Sequence, residues 1–386
     1  MLYNDYAKNE LKKVELVHSG TDYFLRLEHL IQEAKYEIHL QYYIFKDDHI
    51  GNKILEELKK AAKRRVRVYI LLDGFGSFSF PKELVDELIA IGIHFRFFSP
   101  FLSLSSLYIG RRLHHKVVVF DDLVVLIGGI NIADKYIGSK ENKAWLDYSV
   151  QINDIKIAKK LQLLCRDLFF KKKYFFKRRI ESVFSSGEET VVRIIQNDWL
   201  KSKNEIYDAY INAFTLAQKE ITIVGSYFLP GQKLYNALKK ASKNKVKIRL
   251  ILSGKSDVPL SRRATYHIYS TLLDHNIEVY EWNKTILHGK AAIVDHHWTT
   301  IGSFNLNNLS CYGSLEMNVE IKSIPFSNTF QDHLDEIISQ SHRITPKSLK
   351  KGTMISRLKN YLSYWTARFI LNFVTYFPNK KFKKYY

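Results

Sequence analysis

The sequence predicts an α/β protein built from two pseudo-twofold-related copies of one domain, each a mixed β-sheet flanked by helices, followed by a C-terminal amphipathic helix. Three observations predict it. A strand–helix–strand pattern occurs once in each half. The same spacing of His, Lys, Asp, Gly and Asn closes each copy. Finally, 386 residues with 46% apolar and 25% charged content suffice for two globular cores.

In order along the chain, residues 37–45 alternate like a strand, 52–63 carry a helical apolar period, and 66–72 form an apolar strand closed by Asp73-Gly74. Residues 220–229, 232–242 and 246–252 repeat this order, closed by Ser253-Gly254. Strand, helix and apolar strand in succession read as a βαβ unit in a sheet covered on both faces. A further helix follows in each copy, over 81–91 and 261–275. Pro81 suits a first helical turn and Gly92 a stop. Each helix leads to a short strand, 94–98 and 277–282, and then to a hairpin. The division is a first domain over 1–160, a basic aromatic linker over 161–190, a second domain over 191–345 and a basic amphipathic tail over 346–386.

The hairpins carry the chemistry. In the first copy His114, Lys116 and Asp121 are followed by Gly128, Gly129 and Asn131. In the second, His288, Lys290 and Asp295 are followed by Gly302, Ser303 and Asn305 at identical spacing. A strand sends residues i and i+2 to one face, so each His projects with its Lys. Asp121-Asp122 and Asp295-His296-His297 read as turns, after which the returning strand brings the small residues and the Asn back toward the His. An imidazole and an ammonium on one face suit a phosphate: the lysine neutralises non-bridging oxygens, and the asparagine amide donates to them. Small residues at 128, 129, 302 and 303 leave room for it. Two histidines suit a two-step displacement, one attacking phosphorus while the other moves a proton. The lysines supply the positive charge, so no metal and no other cofactor is expected. The candidate catalytic set is His114, Lys116, Asp121, His288, Lys290 and Asp295, with Gly129, Asn131, Ser303 and Asn305 around the phosphate.

Charge points to a polyanionic partner. Fifty-nine Lys and Arg against 39 Asp and Glu leave +20, which favours nucleic acid or an anionic membrane. Eleven of the basic residues and no acidic one lie within 343–386. There Leu358, Leu362, Trp365, Phe369, Phe373 and Tyr376 recur at spacings of three and four, while Arg357, Tyr364, Arg368 and Asn372 fall toward another face. The charges argue for a helix lying in the interface of an anionic leaflet rather than spanning it; packing on the protein's own core is the alternative. The basic aromatic stretch 168–179 suits membrane contact, a surface helix or one wall of a nucleic-acid groove. No run of about 18 apolar residues occurs, so no ordinary transmembrane helix is expected. The polar opening residues suggest no signal peptide. Cys165 and Cys311 imply neither a disulfide framework nor a zinc cluster, and Cys165 reads as a buried bystander.

At the two motifs the chain resembles the phospholipase D superfamily, which the His-x-Lys-x4-Asp pattern defines, over residues 15–345. The longer strings 72–77, 128–134, 144–148, 226–231, 287–305 and 315–318 are similar to bacterial cardiolipin synthases of the short type, without N-terminal transmembrane helices. The resemblance implies two phospholipase D-like domains that share one active site at their interface and transfer a phosphatidyl group in two steps. His114 would be the nucleophile and His288 the general acid and base. Asp147 would orient one histidine and Glu316 the other, while Asp121 and Asp295 would be structural or would support the site residues from behind. The sequence departs from the family at His115, where Arg is commoner, and has Ser303 where the first copy has Gly129.

The reading is a cardiolipin-forming phosphatidyltransferase acting on phospholipids. Phosphatidylglycerol would be the acceptor, and phosphatidylglycerol or phosphatidylethanolamine its partner. An anionic phospholipid membrane is the expected partner and nucleic acid is not. The expected place is the cytoplasmic face of the bacterial inner membrane, as a peripheral or monotopic protein. Three alternatives stand beside it: a phospholipase D that uses water and releases phosphatidic acid, a nuclease of the same superfamily, and a basic membrane-binding scaffold without activity.

Overall fold

The computed structural model describes residues 13–99, 111–171, 180–186, 188–198, 203–307, 310, 313–350 and 353–382. The first half runs β1 (Val14–His18), α1 (Thr21–Glu33), β2 (Glu37–Tyr42), α2 (His49–Lys63), β3 (Arg67–Asp73), α3 (Lys82–Ala90), β4 (His94–Phe98) and β5 (Arg112–Leu113). The motif hairpin β6 (Lys116–Phe120) and β7 (Val124–Gly128), then α4 (Asp134–Ile137), β8 (Tyr148–Asn153) and α5 (Ile155–Phe169), complete it. The second half begins with β9 (Ile180–Ser186), β10 (Glu188–Asp198), β11 (Lys203–Asn204) and α6 (Glu205–Leu216). It repeats the pattern with β12 (Glu220–Gly225), α7 (Gln232–Lys243), β13 (Lys247–Ser253), α8 (Pro259–His267), α9 (Tyr269–Asp274) and β14 (Ile277–Trp282). Its motif hairpin is β15 (Lys290–Val294) and β16 (Trp298–Gly302), followed by β17 (Ser314–Lys322) and α10 (Ile324–Ser339). The chain closes with β18 (His342–Arg343), α11 (Pro346–Lys350) and α12 (Met354–Phe382).

The strand orders are β1-β8-β7-β6-β2-β3-β4 and β11-β10-β17-β16-β15-β12-β13-β14-β18. The repeat expected from the sequence is visible in both. Strands β2, β3 and β4 pair in parallel, as do β12, β13 and β14. Strands β6, β7 and β8, like β15, β16 and β17, form antiparallel meanders. Parallel neighbours need a crossover, and α2 and α7 provide it. Helix α2 starts where Asp48 accepts from the Gly51 N–H at 3.0 Å, an N-cap that satisfies an otherwise orphaned donor.

The apolar patterning resolves into three layers of core. Leu27, Ile31, Ile54 and Leu58 of α1 and α2 cover the outer face of the first sheet. Ile206, Phe214, Leu234 and Leu238 of α6 and α7 do the same for the second. Between the sheets, β7 and β8 lie against β16 and β17, and Ile157, Leu161 and Cys165 of α5 join Phe330 and Leu334 of α10. The motif strands β6 and β15 are therefore buried on both faces along their whole length, which is why they read as continuous apolar runs after the lysine.

Three expectations change. The helix expected over 261–275 is two, broken at Ile268. Thr265 turns its hydroxyl back to the Ser261 carbonyl at 3.0 Å and across to Phe228 O at 3.0 Å, a bonding pattern that bends helices. The linker expected from residue 161 is helical to Phe169, because α5 carries its apolar stripe into the inter-sheet core. Ser186 pairs with Glu188 in a hairpin instead of ending a linker. Residues 172–179 of the basic aromatic stretch, and Cys311, lie outside the described residues.

The tail helix α12 packs on α8. Tyr361 and Tyr364 stand 5.5 and 4.9 Å from the His267 ring, and Arg368 donates to Pro230 O at 3.2 Å. Of the stripe identified in the sequence, Leu358, Leu362, Trp365 and Phe369 are each more than half exposed; the side chains of Phe373 and Tyr376 lie outside the described ones. The polar-aromatic face thus meets the protein and the apolar face looks away from it. Among the described residues no helix is long and apolar enough to cross a membrane.

Candidate active site at the junction of the two halves

Each motif histidine is positioned by the other half of the chain. Just before the first motif, β5 pairs in parallel with the start of β17, and His114 N donates to Leu315 O at 3.0 Å. Before the second, Leu146 bridges to Leu287, and His288 N donates to Leu146 O at 2.8 Å. Leu315 and Leu146 immediately precede Glu316 and Asp147. The backbone registers therefore cross-deliver a carboxylate to each imidazole. Glu316 Oε2 lies 2.9 Å from His114 Nδ1, and Asp147 Oδ2 lies 2.5 Å from His288 Nδ1. Both carboxylates are fully buried.

The lysines stand beside their histidines as the two-residue spacing requires. Lys116 Nζ donates to His114 O at 2.5 Å. Lys290 Nζ lies 2.9 Å from His288 Nδ1 and 3.3 Å from its Nε2, and donates to His288 O. Burial lowers Lys116 to about 7, assisted by the repulsion of Lys290, against the pull of Glu316 and Asp147. Burial likewise lowers Lys290 to about 8 while Asp147, Glu316 and Asp257 pull it up. Burial also pushes both histidines down, opposed by Glu316 at His114 and by Asp147 at His288. Lys116 and Lys290 are thus both buried, and each disfavours the positive charge of a neighbour in the same site.

The second small residue after each hairpin, Gly129 and Ser303, faces the carboxylate beside a motif histidine. A Cβ on Gly129 would sit 2.3 Å from Asp147 Oδ1. At the matching position Ser303 donates its hydroxyl to Glu316 Oε2 at 2.5 Å. Both asparagine side-chain oxygens have protein partners. Asn131 Oδ1 accepts from Ile44 N at 3.1 Å, and its amide nitrogen donates to Tyr136 OH at 2.8 Å; that hydroxyl lies 3.3 Å from His288 Nδ1. Asn305 Oδ1 accepts from Ser226 Oγ at 2.9 Å.

Asp121 and Asp295, grouped with the catalytic residues by spacing, lie at the far ends of the motif strands. Each lies five positions after its lysine, about 16 Å along a strand. Asp121 accepts from the backbone N–H groups of Lys35, Tyr36 and Glu37 at 2.6, 2.8 and 2.8 Å. Asp295 accepts from Gln218, Lys219 and Glu220 at 2.7, 2.7 and 2.8 Å. Each sits with its successor at positive φ, 50° and 59° for Asp121-Asp122 and 51° and 54° for Asp295-His296, the pattern of a tight hairpin turn that Asp tolerates. These aspartates pin the hairpin to the neighbouring strand. His115 is likewise structural: buried, pushed down to about 3 by that burial, and bonded through Nε2 to Gln41 Oε1 at 2.9 Å.

Periodicity did not single out the aromatic walls. Tyr43 stands edge-on to His114 at 4.8 Å, with Lys116 Nζ 5.3 Å from its ring. Around His288 stand Tyr136 at 5.4 Å, Trp145 at 5.9 Å and Tyr227 at 6.3 Å. Trp145 and Tyr227 lie in two of the family-like strings, but only the folded chain gathers them at one imidazole.

Comparison with known proteins agrees with this architecture. A family model described as cardiolipin synthase, PLD-like domain, matches residues 27–163 and 210–338. Cardiolipin synthase B of Shigella flexneri is 32% identical over 376 residues, 96% of this chain and 91% of the relative; that of Escherichia coli K12 gives the same values. The minor cardiolipin synthase ClsB of Bacillus subtilis is 28% identical, over 95% of this chain and 92% of the relative. The crystal structure of phosphatidylserine synthase from Haemophilus influenzae shares the fold at a TM-score of 0.73 and 16% identity, covering 95% of both chains. Both halves thus match one family model, and relatives align along almost the full length, so this chain belongs to the cardiolipin synthases of the phospholipase D-like family and is a phosphatidyltransferase.

Proposed function

We propose that this protein makes cardiolipin through a covalent phosphohistidine, with phosphatidylglycerol as acceptor and phosphatidylglycerol or phosphatidylethanolamine as donor. The observation that carries the reading is the crossed pair, His114 on Glu316 and His288 on Asp147, with Lys116 and Lys290 alongside. Each Nδ1 is engaged by a carboxylate, which directs Nε2 toward substrate; at His288 that nitrogen also has Lys290 Nζ 3.3 Å away.

In the first step His114 Nε2, neutral because burial holds it low, attacks phosphorus. The bond from phosphorus to the leaving head-group oxygen breaks, and His288 gives that oxygen a proton from its imidazolium form, which the Asp147 carboxylate supports against the burial that disfavours it. In the second step the acceptor hydroxyl oxygen attacks the phosphohistidine. His288 takes the hydroxyl proton, the P–N bond to His114 breaks, and both histidines return to their starting states. Asp147 stabilises the imidazolium that His288 must become. The two ammonium groups hold the non-bridging oxygens throughout.

The exposed apolar stripe of α12 and the basic residues beyond it support a peripheral place on an anionic leaflet, the cytoplasmic face of the bacterial inner membrane. There both substrates are concentrated, which favours transfer over hydrolysis. The test uses purified protein, His114→Ala and His288→Ala on phosphatidylglycerol vesicles with and without phosphatidylethanolamine, read by lipid mass spectrometry. Cardiolipin from the parent chain alone is expected, with a phosphatidyl group trapped on His114. Full activity in either variant overturns the mechanism, and phosphatidic acid as sole product makes the protein a hydrolase.

A further inference from the structure

The two halves repeat each other at the motif hairpins but differ in the loops that follow β3 and β13. In the first half the carboxylate that ends β3 turns inward: Asp73 accepts from Phe75, Gly76 and Leu113 N–H at 2.9, 2.9 and 2.8 Å and is wholly buried. At the end of β13 its place is taken by Ser253, which accepts from Leu287 N at 3.0 Å. Four residues further on, the first half has buried Ser77, closing its loop onto Tyr43 O and Phe45 N. The second half has Asp257 there, exposed to solvent.

Asp257 is tied to the reaction centre by one side chain. Its Oδ1 accepts from Tyr227 OH at 2.6 Å, and the Tyr227 ring stands edge-on to His288 at 6.3 Å. The other carboxylate oxygen has no hydrogen-bond partner among the described residues. Its charge is felt inside the site: burial lowers Lys290 and Lys135, and Asp257 is among the carboxylates that pull each back up. A carboxylate in this position opposes the binding of a phosphodiester, which the rest of the site attracts. Its chemistry suits a hydrogen-bond donor instead, and the position is one aromatic ring away from the imidazole that deprotonates the acceptor.

We infer that Asp257, held by Tyr227, is the subsite for the hydroxyl-bearing head group of the acceptor, accepting from one glycerol hydroxyl while a second reaches His288. This rests on the phosphatidyl-transfer reading above and adds where the acceptor alcohol sits. It also gives the two sides of the site different tasks, because the carboxylate that ends β3 in the first half, Asp73, is spent on its own loop.

The experiment uses the full chain on phosphatidylethanolamine vesicles with free glycerol as the acceptor probe, comparing the parent with Asp257→Asn, Asp257→Ala and Tyr227→Phe. Phosphatidylglycerol and phosphatidic acid are both quantified by mass spectrometry. Loss of one charge-assisted hydrogen bond corresponds to about a tenfold change. The apparent KM for glycerol is expected to rise about tenfold in Asp257→Ala, with the product ratio moving toward phosphatidic acid by a similar factor. Tyr227→Phe is expected to move both in the same direction by less. An unchanged glycerol KM overturns the subsite. So does an equal fall of both products in all three variants, which marks a structural role. Absence of any lipid product from the parent chain overturns the transfer reading itself and the subsite with it.

Discussion

Gly129→Ala tests how tightly the second histidine is held. The added Cβ would lie 2.3 Å from Asp147 Oδ1, and ordinary contact begins at 3.4 Å, so the oxygen must retreat by about 1.1 Å. That oxygen accepts from Tyr148 N at 2.8 Å while its partner holds His288 Nδ1 at 2.5 Å. A retreat of that size takes both bonds beyond useful length. The buried N–H left behind costs about 1–3 kcal/mol of stability. A misplacement of about 1 Å in a reacting group costs about 100-fold in rate. Turnover on phosphatidylglycerol vesicles, read as cardiolipin formed, is therefore expected to fall about 100-fold, with a lowered Tm. Ser303→Ala is the matched control. It removes a hydrogen bond to Glu316 without adding an atom, so a loss of about tenfold is expected. Turnover of Gly129→Ala within about threefold of the parent would refute the claim that this glycine exists to seat Asp147.

Asp121→Ala is expected to lower stability by about 2 kcal/mol, because it strands three backbone N–H groups; chemical denaturation measures this, and a kcat loss as large as that of His114→Ala would place Asp121 in the chemistry after all. Lys116 and Lys290 hold phosphate only as ammonium ions, and burial lowers them to about 7 and about 8. Deprotonation as pH rises through that window is expected to reduce kcat/KM, while the bound phosphodiester raises both groups and carries the fall in kcat to higher pH. A pH profile with kcat/KM flat across the window would contradict this. Replacing Trp365 and Phe369 together by Ala removes two exposed apolar side chains and is expected to weaken binding to anionic vesicles at least tenfold in a flotation assay. Unchanged partition would assign the stripe another partner.

Much was legible from local pattern, because periodicity and spacing are local properties. The βαβ order, the two hairpins with their Asp turns, and the His–Lys face of each motif strand all follow from backbone geometry over a few residues. The stripe of α12 was equally readable, as were the histidines and lysines of the site.

What the sequence by itself determined is therefore the repeat, the residue types of the candidate site and the strand faces that carry them. Only the tertiary structure decided which carboxylate serves which histidine, because that depends on two short parallel pairings between residues roughly 140 and 200 positions apart along the chain. It alone showed that Gly129 accommodates Asp147, that Asn131 is engaged by Tyr136, and that Tyr43, Tyr136, Trp145 and Tyr227 wall the imidazoles. The physical reason is that a side chain's period names the face it occupies, whereas its partner is chosen by how two faces from separate halves are packed together.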